Sequence, residues 1–128
     1  PHLVQHFESM VIGYLAAQQK LDTVGRVNAS ILEQLPSGDV SLESVAATLA
    51  MSPRSLTRKL ADEGLAFKSM LAKIRRDLAE KYIADRTLTI TEISFLLGFS
   101  ETSSFSRAFK GWTGQSPRTH RQADSPVQ

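Results

Sequence analysis

Apolar residues recur along this chain at helical spacing almost from end to end, and the interruptions divide it into short segments. Leu3, Phe7, Met10, Val11 and Tyr14 share one side of a stretch from residue 2 to about 19, which predicts an amphipathic helix. A second helix is predicted from Asp22, a ready N-cap, to Leu35, with Val24, Val27, Ile31 and Leu35 as its stripe and Pro36, Ser37 and Gly38 as its end. Ser41 then caps a short helix whose inward residues are Leu42, Val45, Ala46 and Leu49. Pro53 opens another, with Leu56 and Leu60 inward, Arg54, Thr57, Arg58 and Ala61 outward, and Gly64 as its stop. From Phe67 to about Ala84 a longer stripe runs through Met70, Leu71, Ile74, Leu78 and Tyr82, opposite Lys73 and Arg76; eighteen residues at about 1.5 Å each give a rod near 27 Å.

After a break at residues 87 to 89, Thr89 and Glu92 have the spacing of a capping box for a helix that runs to Leu97. A turn at Gly98, Phe99 and Ser100 leads into a helix with two unlike faces. Phe105, Ala108, Phe109 and Trp112 fall at i, i+3, i+4 and i+7, and Ser103, Ser106, Arg107 and Lys110 lie opposite. Gly114 closes it, Ser116 and Pro117 start a short final helix, and residues 123 to 128 read as a frayed tail. No strand of any persistence is visible, so the expected fold is all-α, with about seven to eight helices.

The two pairs of short helices repeat. Ser41, Leu42, Val45, Ala46, Leu49, Ala50 and Met51 match Thr89, Ile90, Ile93, Ser94, Leu97, Gly98 and Phe99 at a constant offset of 48. Beyond the turn the offset is 49, where Leu56, Arg58 and Leu60 match Phe105, Arg107 and Phe109, and Arg54 and Thr57 match Ser103 and Ser106. Small Ala46 and Ser94 let the paired helices approach, and small Ala50 and Gly98 suit a tight turn, so each pair has the outline of a helix-turn-helix.

Composition narrows what such a fold does. With 128 residues and 41% hydrophobic content, the chain is long enough for one ordinary domain or two small subdomains with packed cores. It has no cysteine, which removes disulfides, thiolate metal sites and a cysteine nucleophile. His2 and His6 stand at a metal-compatible i, i+4 spacing, but no third ligand accompanies them, so neither metal nor cofactor is expected. No Gly-rich phosphate loop, carboxylate pair or Ser/His/Asp set is present, and an enzyme is not expected. The longest apolar run, Met10 to Ala17, is too short to cross a bilayer, and no signal peptide is evident; the expectation is a cytoplasmic, nucleoid-associated protein with no membrane partner. Charge is uneven. The net +2 conceals two cations against five acids in residues 1 to 51, a balance of −3, and hence +5 in residues 52 to 128, where the outward-facing arginines lie.

Residues from about 38 to 121 resemble the DNA-binding domain of AraC/XylS-type bacterial transcription regulators. The resemblance rests on Ser52-Pro53-Arg54-Ser55-Leu56, on Arg75, on Ile93 followed by Leu97-Gly98-Phe99, on Phe105-Ser106-Arg107-Ala108-Phe109-Lys110, and on Gly114-Gln115-Ser116-Pro117 with Arg121 after it. Where that family often has an aromatic just before the closing arginine, this chain has His120, a departure that touches packing rather than DNA reading. The resemblance implies two helix-turn-helix subdomains on one linker helix, each setting its second helix into consecutive major-groove segments of double-stranded DNA. Within it, 38–65 is the first unit, 66–86 the linker helix and 87–121 the second unit with the last helix, and 122–128 is tail; residues 1–37 lie outside the signature and are read as N-terminal helices, a linker from a missing upstream domain plus an entry helix, the first of which either packs on the domain that follows or pairs with a second subunit. The chain begins at Pro1 without an initiator methionine and is read as a fragment whose effector ligand would bind that missing domain.

The residues expected on bases are Arg54, Thr57 and Arg58 in the first unit and Ser103, Ser106 and Arg107 in the second. Arginine can take guanine O6 and N7 together, worth about 1 to 3 kcal/mol of discrimination. A phosphate contact or an ion pair is the other reading of Arg58 and Arg107. Hydroxyls read bases permissively, which shifts the weight of selection to Arg54 and Arg58, with Arg107 as the strong reader of the second unit. Lys59, Thr102, Lys110, Arg118 and Arg121 are the candidate backbone contacts, along with Lys73 and Arg76, while Thr102 and Glu101 at a helix start serve equally well as caps. Ser44, Thr89 and Ser116 are either phosphate donors or caps, with capping favoured. The alternative function is a helical interaction module that binds RNA polymerase or another regulator; RNA polymerase is also an expected partner under the DNA-binding reading.

Overall fold

A computed structural model of the chain describes Met10 and residues 22–123. The helix expected over residues 2 to 19, the His2 and His6 pair, and the tail from residue 124 lie outside the described residues, Met10 excepted. The described fold is all-α: α1 (Thr23–Gln34), a 3-10 turn (Leu35–Ser37), α2 (Leu42–Thr48), α3 (Pro53–Asp62), α4 (Phe67–Ala84), α5 (Ile90–Leu96), α6 (Thr102–Thr113) and α7 (Pro117–Ala123).

Local chemistry sets most of these boundaries. The Asp22 carboxylate accepts from the Gly25 N–H at 2.9 Å and starts α1. Ser41 and Ser44 form a reciprocal capping box on α2, and Thr89 and Glu92 form one on α5, with bonds of 2.8 to 3.0 Å in the latter. Ser52 accepts from the Ser55 N–H at 3.1 Å with Pro53 at the first helical position of α3, and Ser116 accepts from the Thr119 N–H at 3.1 Å to start α7.

Each helix-turn-helix turn needs one residue in the left-handed region just after its first helix. In the second unit this is Gly98 at φ +81°; in the first it is Ala50 at φ +58°, the one non-glycine with positive φ among the described residues. Both turns tie off their helices alike. The Met51 N–H donates to the Ala46 carbonyl at 2.9 Å, and the Phe99 N–H donates to the Ser94 carbonyl at 3.0 Å.

Helix α1, ahead of the first unit, packs on α2, α3 and α4 and sends Val27, Ile31 and Leu32 into the core, joined by Leu35 of the 3-10 turn. Helix α4 continues past it and packs on α5, α6 and α7. The 48-residue repeat therefore extends one helix upstream. Ile31, Leu35 and Val40 correspond to Ala79, Ile83 and Leu88, so the C-terminal half of α4 stands to α5 and α6 as α1 stands to α2 and α3. Buried side chains form one continuous cluster from Val27 through Leu56, Leu60 and Leu78 to Phe105 and Phe109. Tyr82 is fully buried in it, and that burial pushes its hydroxyl pKa up to about 12. No described helix is long and apolar enough to cross a membrane.

Candidate nucleic-acid interface

The second helix of each unit is held from behind by two fully buried side chains on its apolar face. Leu56 and Leu60 anchor α3, and Phe105 and Phe109 anchor α6. Behind α6 the aromatics form a continuous stack. The Phe99 and Phe105 ring centroids are 5.7 Å apart, those of Phe105 and Phe109 also 5.7 Å, and the His120 ring meets Phe109 edge-on at 5.2 Å. His120 thus takes the packing place that an aromatic would fill.

With those faces fixed, the residues predicted to read bases fall as follows. Arg54, Thr57 and Arg58 on α3 are all exposed. On α6, Ser103 and Arg107 are exposed and Ser106 is half-buried, with the Arg107 guanidinium 3.5 Å from the Ser104 hydroxyl. Among the described residues Arg54 and Arg58 have no hydrogen bond or ion pair, which leaves their guanidinium groups available for a ligand.

The predicted backbone contacts divide. Lys110 and Arg118 are exposed. Thr102 is half-buried at the start of α6, with its hydroxyl 3.4 Å from that of Ser94, and Glu101 at the cap position makes no side-chain capping bond. Lys73 is exposed but paired with Asp77 at 2.9 Å. Lys59 lines a shallow cleft of about 190 Å³ with Asp22, Asp62 and Glu63, carboxylates that oppose the approach of a phosphate. Thr89 and Ser116 are caps, and the Ser44 hydroxyl accepts from the Ser41 N–H as the second half of its capping box.

Arg121 is engaged within the fold. Its Nε donates to the Ile83 carbonyl at 3.0 Å, Nη1 to Leu88 at 2.7 Å, and Nη2 to Asp85 at 3.2 Å and Tyr82 at 3.4 Å. Helix α4 ends at Asp85 in extended geometry without a glycine cap, and only single bonds from the Asp85 and Leu88 N–H groups, to the Tyr82 and Asp85 carbonyls, tie off its end along the chain. Arg121 supplies further donors from α7. Burial, then the neighbouring Arg86, lowers its pKa, while Asp85 acts in the opposite direction. These bonds engage every nitrogen of the guanidinium within the fold.

Arg75, to which sequence reading gave no role beyond the family resemblance, acts similarly. Its Nε donates to the Leu97 carbonyl at the end of α5 at 2.8 Å, and its guanidinium carbon stands 4.7 Å from the centroid of the Phe99 ring. Burial lowers its pKa.

This arrangement of two exposed recognition-type faces on one core has close counterparts. A family model described as a helix-turn-helix domain matches residues 45–123. The transcriptional regulator VirS of Mycobacterium tuberculosis is 41% identical over 87 residues, 68% of this chain and 26% of that protein. The ornithine utilization regulator of Pseudomonas aeruginosa is 40% identical over 88 residues, 69% of this chain and 26% of that protein. This chain thus spans about a quarter of the length of these two relatives. Among solved structures, the C-terminal domain of AraT, a response regulator from Geobacillus stearothermophilus, superposes with a TM-score of 0.74 at 33% identity, covering 84% of this chain and 90% of that one. The chain belongs to the AraC/XylS family of bacterial transcription regulators, whose helix-turn-helix domain it carries.

Proposed function

We propose that this domain binds double-stranded DNA sequence-specifically, with α3 and α6 each entering the major groove in successive segments on one face of the duplex. The carrying observation is the equivalence of Arg58 and Arg107: each is exposed, at the same place in a repeat, on a helix anchored from the opposite side by two fully buried side chains. Each reading unit takes three helices, α1 with α2 and α3, and the C-terminal half of α4 with α5 and α6. The eighteen residues of α4 give a rod of about 27 Å, which with the widths of the helices it joins approaches the roughly 34 Å between major-groove windows on one face.

Arg54 and Arg58 select bases in the first element and Arg107 in the second, while Thr57, Ser103 and Ser106 add permissive contacts. Lys110 and Arg118 serve the phosphate backbone. The setting is the bacterial cytoplasm, at the nucleoid. RNA polymerase is the second macromolecular partner, as the relatives' names as transcriptional regulators suggest, and effector sensing belongs to a separate domain of the whole protein.

Selection from random duplexes tests this reading, and a motif of two elements about one helical turn apart is expected. Replacing Arg58 and Arg107 together by Ala should abolish specific binding with the fold intact by circular dichroism. If the folded protein enriches no motif, the DNA-reading assignment is wrong.

A further inference from the structure

The two units touch each other directly as well as through α4. At Gly98 the second turn lies so close to the first unit that a Cβ there would stand 2.5 Å from the Leu35 carbonyl oxygen, at the start of the 3-10 turn. The same Cβ would stand 3.3 Å from Nη2 of Arg75. The 3-10 turn packs on α5, and Leu35 is fully buried. Arg75, midway along α4, is the side chain at this meeting point. It holds the Leu97 carbonyl by hydrogen bond and covers the Phe99 ring, and Phe99 in turn rests on Phe105 of α6. A path of direct contacts therefore runs from the end of α1, behind the first reader, through Gly98 and Arg75 to the buried face of the second reader.

We propose that Arg75 is a positioning residue that locks the two recognition helices into one relative placement, so that the protein rejects sites whose two elements are moved apart or together by a single base pair. A continuous helix fixes distance along its own axis, but each unit's seating on that helix is set by side contacts. Arg75 ties the second unit to the linker helix beside the point where Gly98 closes on the Leu35 carbonyl of the first. It contacts no DNA itself. One added base pair turns the second element by about a tenth of a helical turn, so a rigid reader loses that element's base contacts and a loose one recovers them.

This inference rests on the DNA-reading assignment, and the experiment separates the two. Dissociation constants are measured for wild type, Arg75→Ala, Arg75→Lys and Phe99→Leu on the selected duplex. They are also measured on duplexes with one base pair added or removed between the elements, and on one with the second element scrambled. Wild type should lose about tenfold or more on the respaced duplexes, the scale of losing one set of base contacts. Arg75→Ala should narrow that ratio to under about threefold, by weakening the native spacing most, and should bind the scrambled duplex as wild type does. Arg75→Lys, which keeps a donor for the Leu97 carbonyl, should restore part of the penalty. Phe99→Leu, which removes the ring beneath the guanidinium, should narrow the ratio too, and it decides the matter if Arg75→Ala does not fold.

A wild type that selects no motif defeats the DNA-reading assignment. If wild type selects two elements but is indifferent to their spacing, the positioning role is overturned. The same follows if the variants keep the full spacing penalty, or if they weaken every duplex equally, which would mark Arg75 as a stabiliser of the fold alone.

Discussion

Ala50 and Gly98 occupy the same place in the two turns, and only one of them has the residue that the backbone favours. An L-residue in the left-handed region carries a cost of about 1 to 2 kcal/mol, and glycine gives back about 0.5 to 1 kcal/mol of that through its greater entropy loss on folding. Ala50 is exposed, so a glycine there loses little packing. Ala50→Gly should therefore stabilise the domain by about 0.5 to 1 kcal/mol, read as a higher urea midpoint at unchanged slope. Gly98→Ala should do the reverse and by more, because its Cβ meets the Leu35 carbonyl oxygen in addition to adopting φ +81°. If Ala50→Gly lowers the midpoint, the turn is not under the backbone strain that its φ of +58° implies.

Helix ends are where sequence and structure agree best and also where they part. Asp22, Ser41, Ser52, Thr89 and Ser116 act as caps because a side-chain oxygen three residues ahead of an N–H is a local arrangement, readable from spacing alone. The ends of α4 and α5 are served from a distance instead, by Arg121 and Arg75. A main-chain carbonyl carries no residue identity, so nothing in the sequence marks it as the partner of a guanidinium 22 or 38 positions away. Lys59 shows the same limit: it sits beside Arg58 in sequence, but Asp22, at the cap of α1, shares its cleft. The upstream extension of the repeat is hard to see because Arg75 stands in α4 where Val27 stands in α1, an apolar core position replaced by the clamp.

The Arg121 clamp has a measurable consequence. Arg121→Ala removes four hydrogen bonds to carbonyls at the end of α4 and in the loop that follows it, and should cost about 2 to 3 kcal/mol in chemical denaturation. Arg121→Met keeps the apolar stem and should recover only the packing share of that loss. A loss within about 0.5 kcal/mol for Arg121→Ala, the range of ordinary surface substitutions, would return Arg121 to the list of candidate phosphate contacts.

At the scale of the molecule, the repeat suggests two independent readers on a spacer, whereas the core joins them. Val27, Leu56 and Leu60 of the first unit belong to the same buried cluster as Ile93, Phe105 and Phe109 of the second, and the described chain has no apolar gap at which to divide. A domain of this size with one core should unfold in a single cooperative transition. The chain provides its own reporter, because its one tryptophan, Trp112, lies on α6 in the second unit. Leu56→Ala opens a cavity in the first unit and should cost about 2 to 5 kcal/mol. Cooperative unfolding requires that this distant change lower the urea midpoint of Trp112 fluorescence by as much as it lowers that of far-ultraviolet circular dichroism. If the fluorescence midpoint instead stays at its wild-type value while the dichroism splits into two steps, the units fold separately, and a rigid two-element reader loses its physical basis.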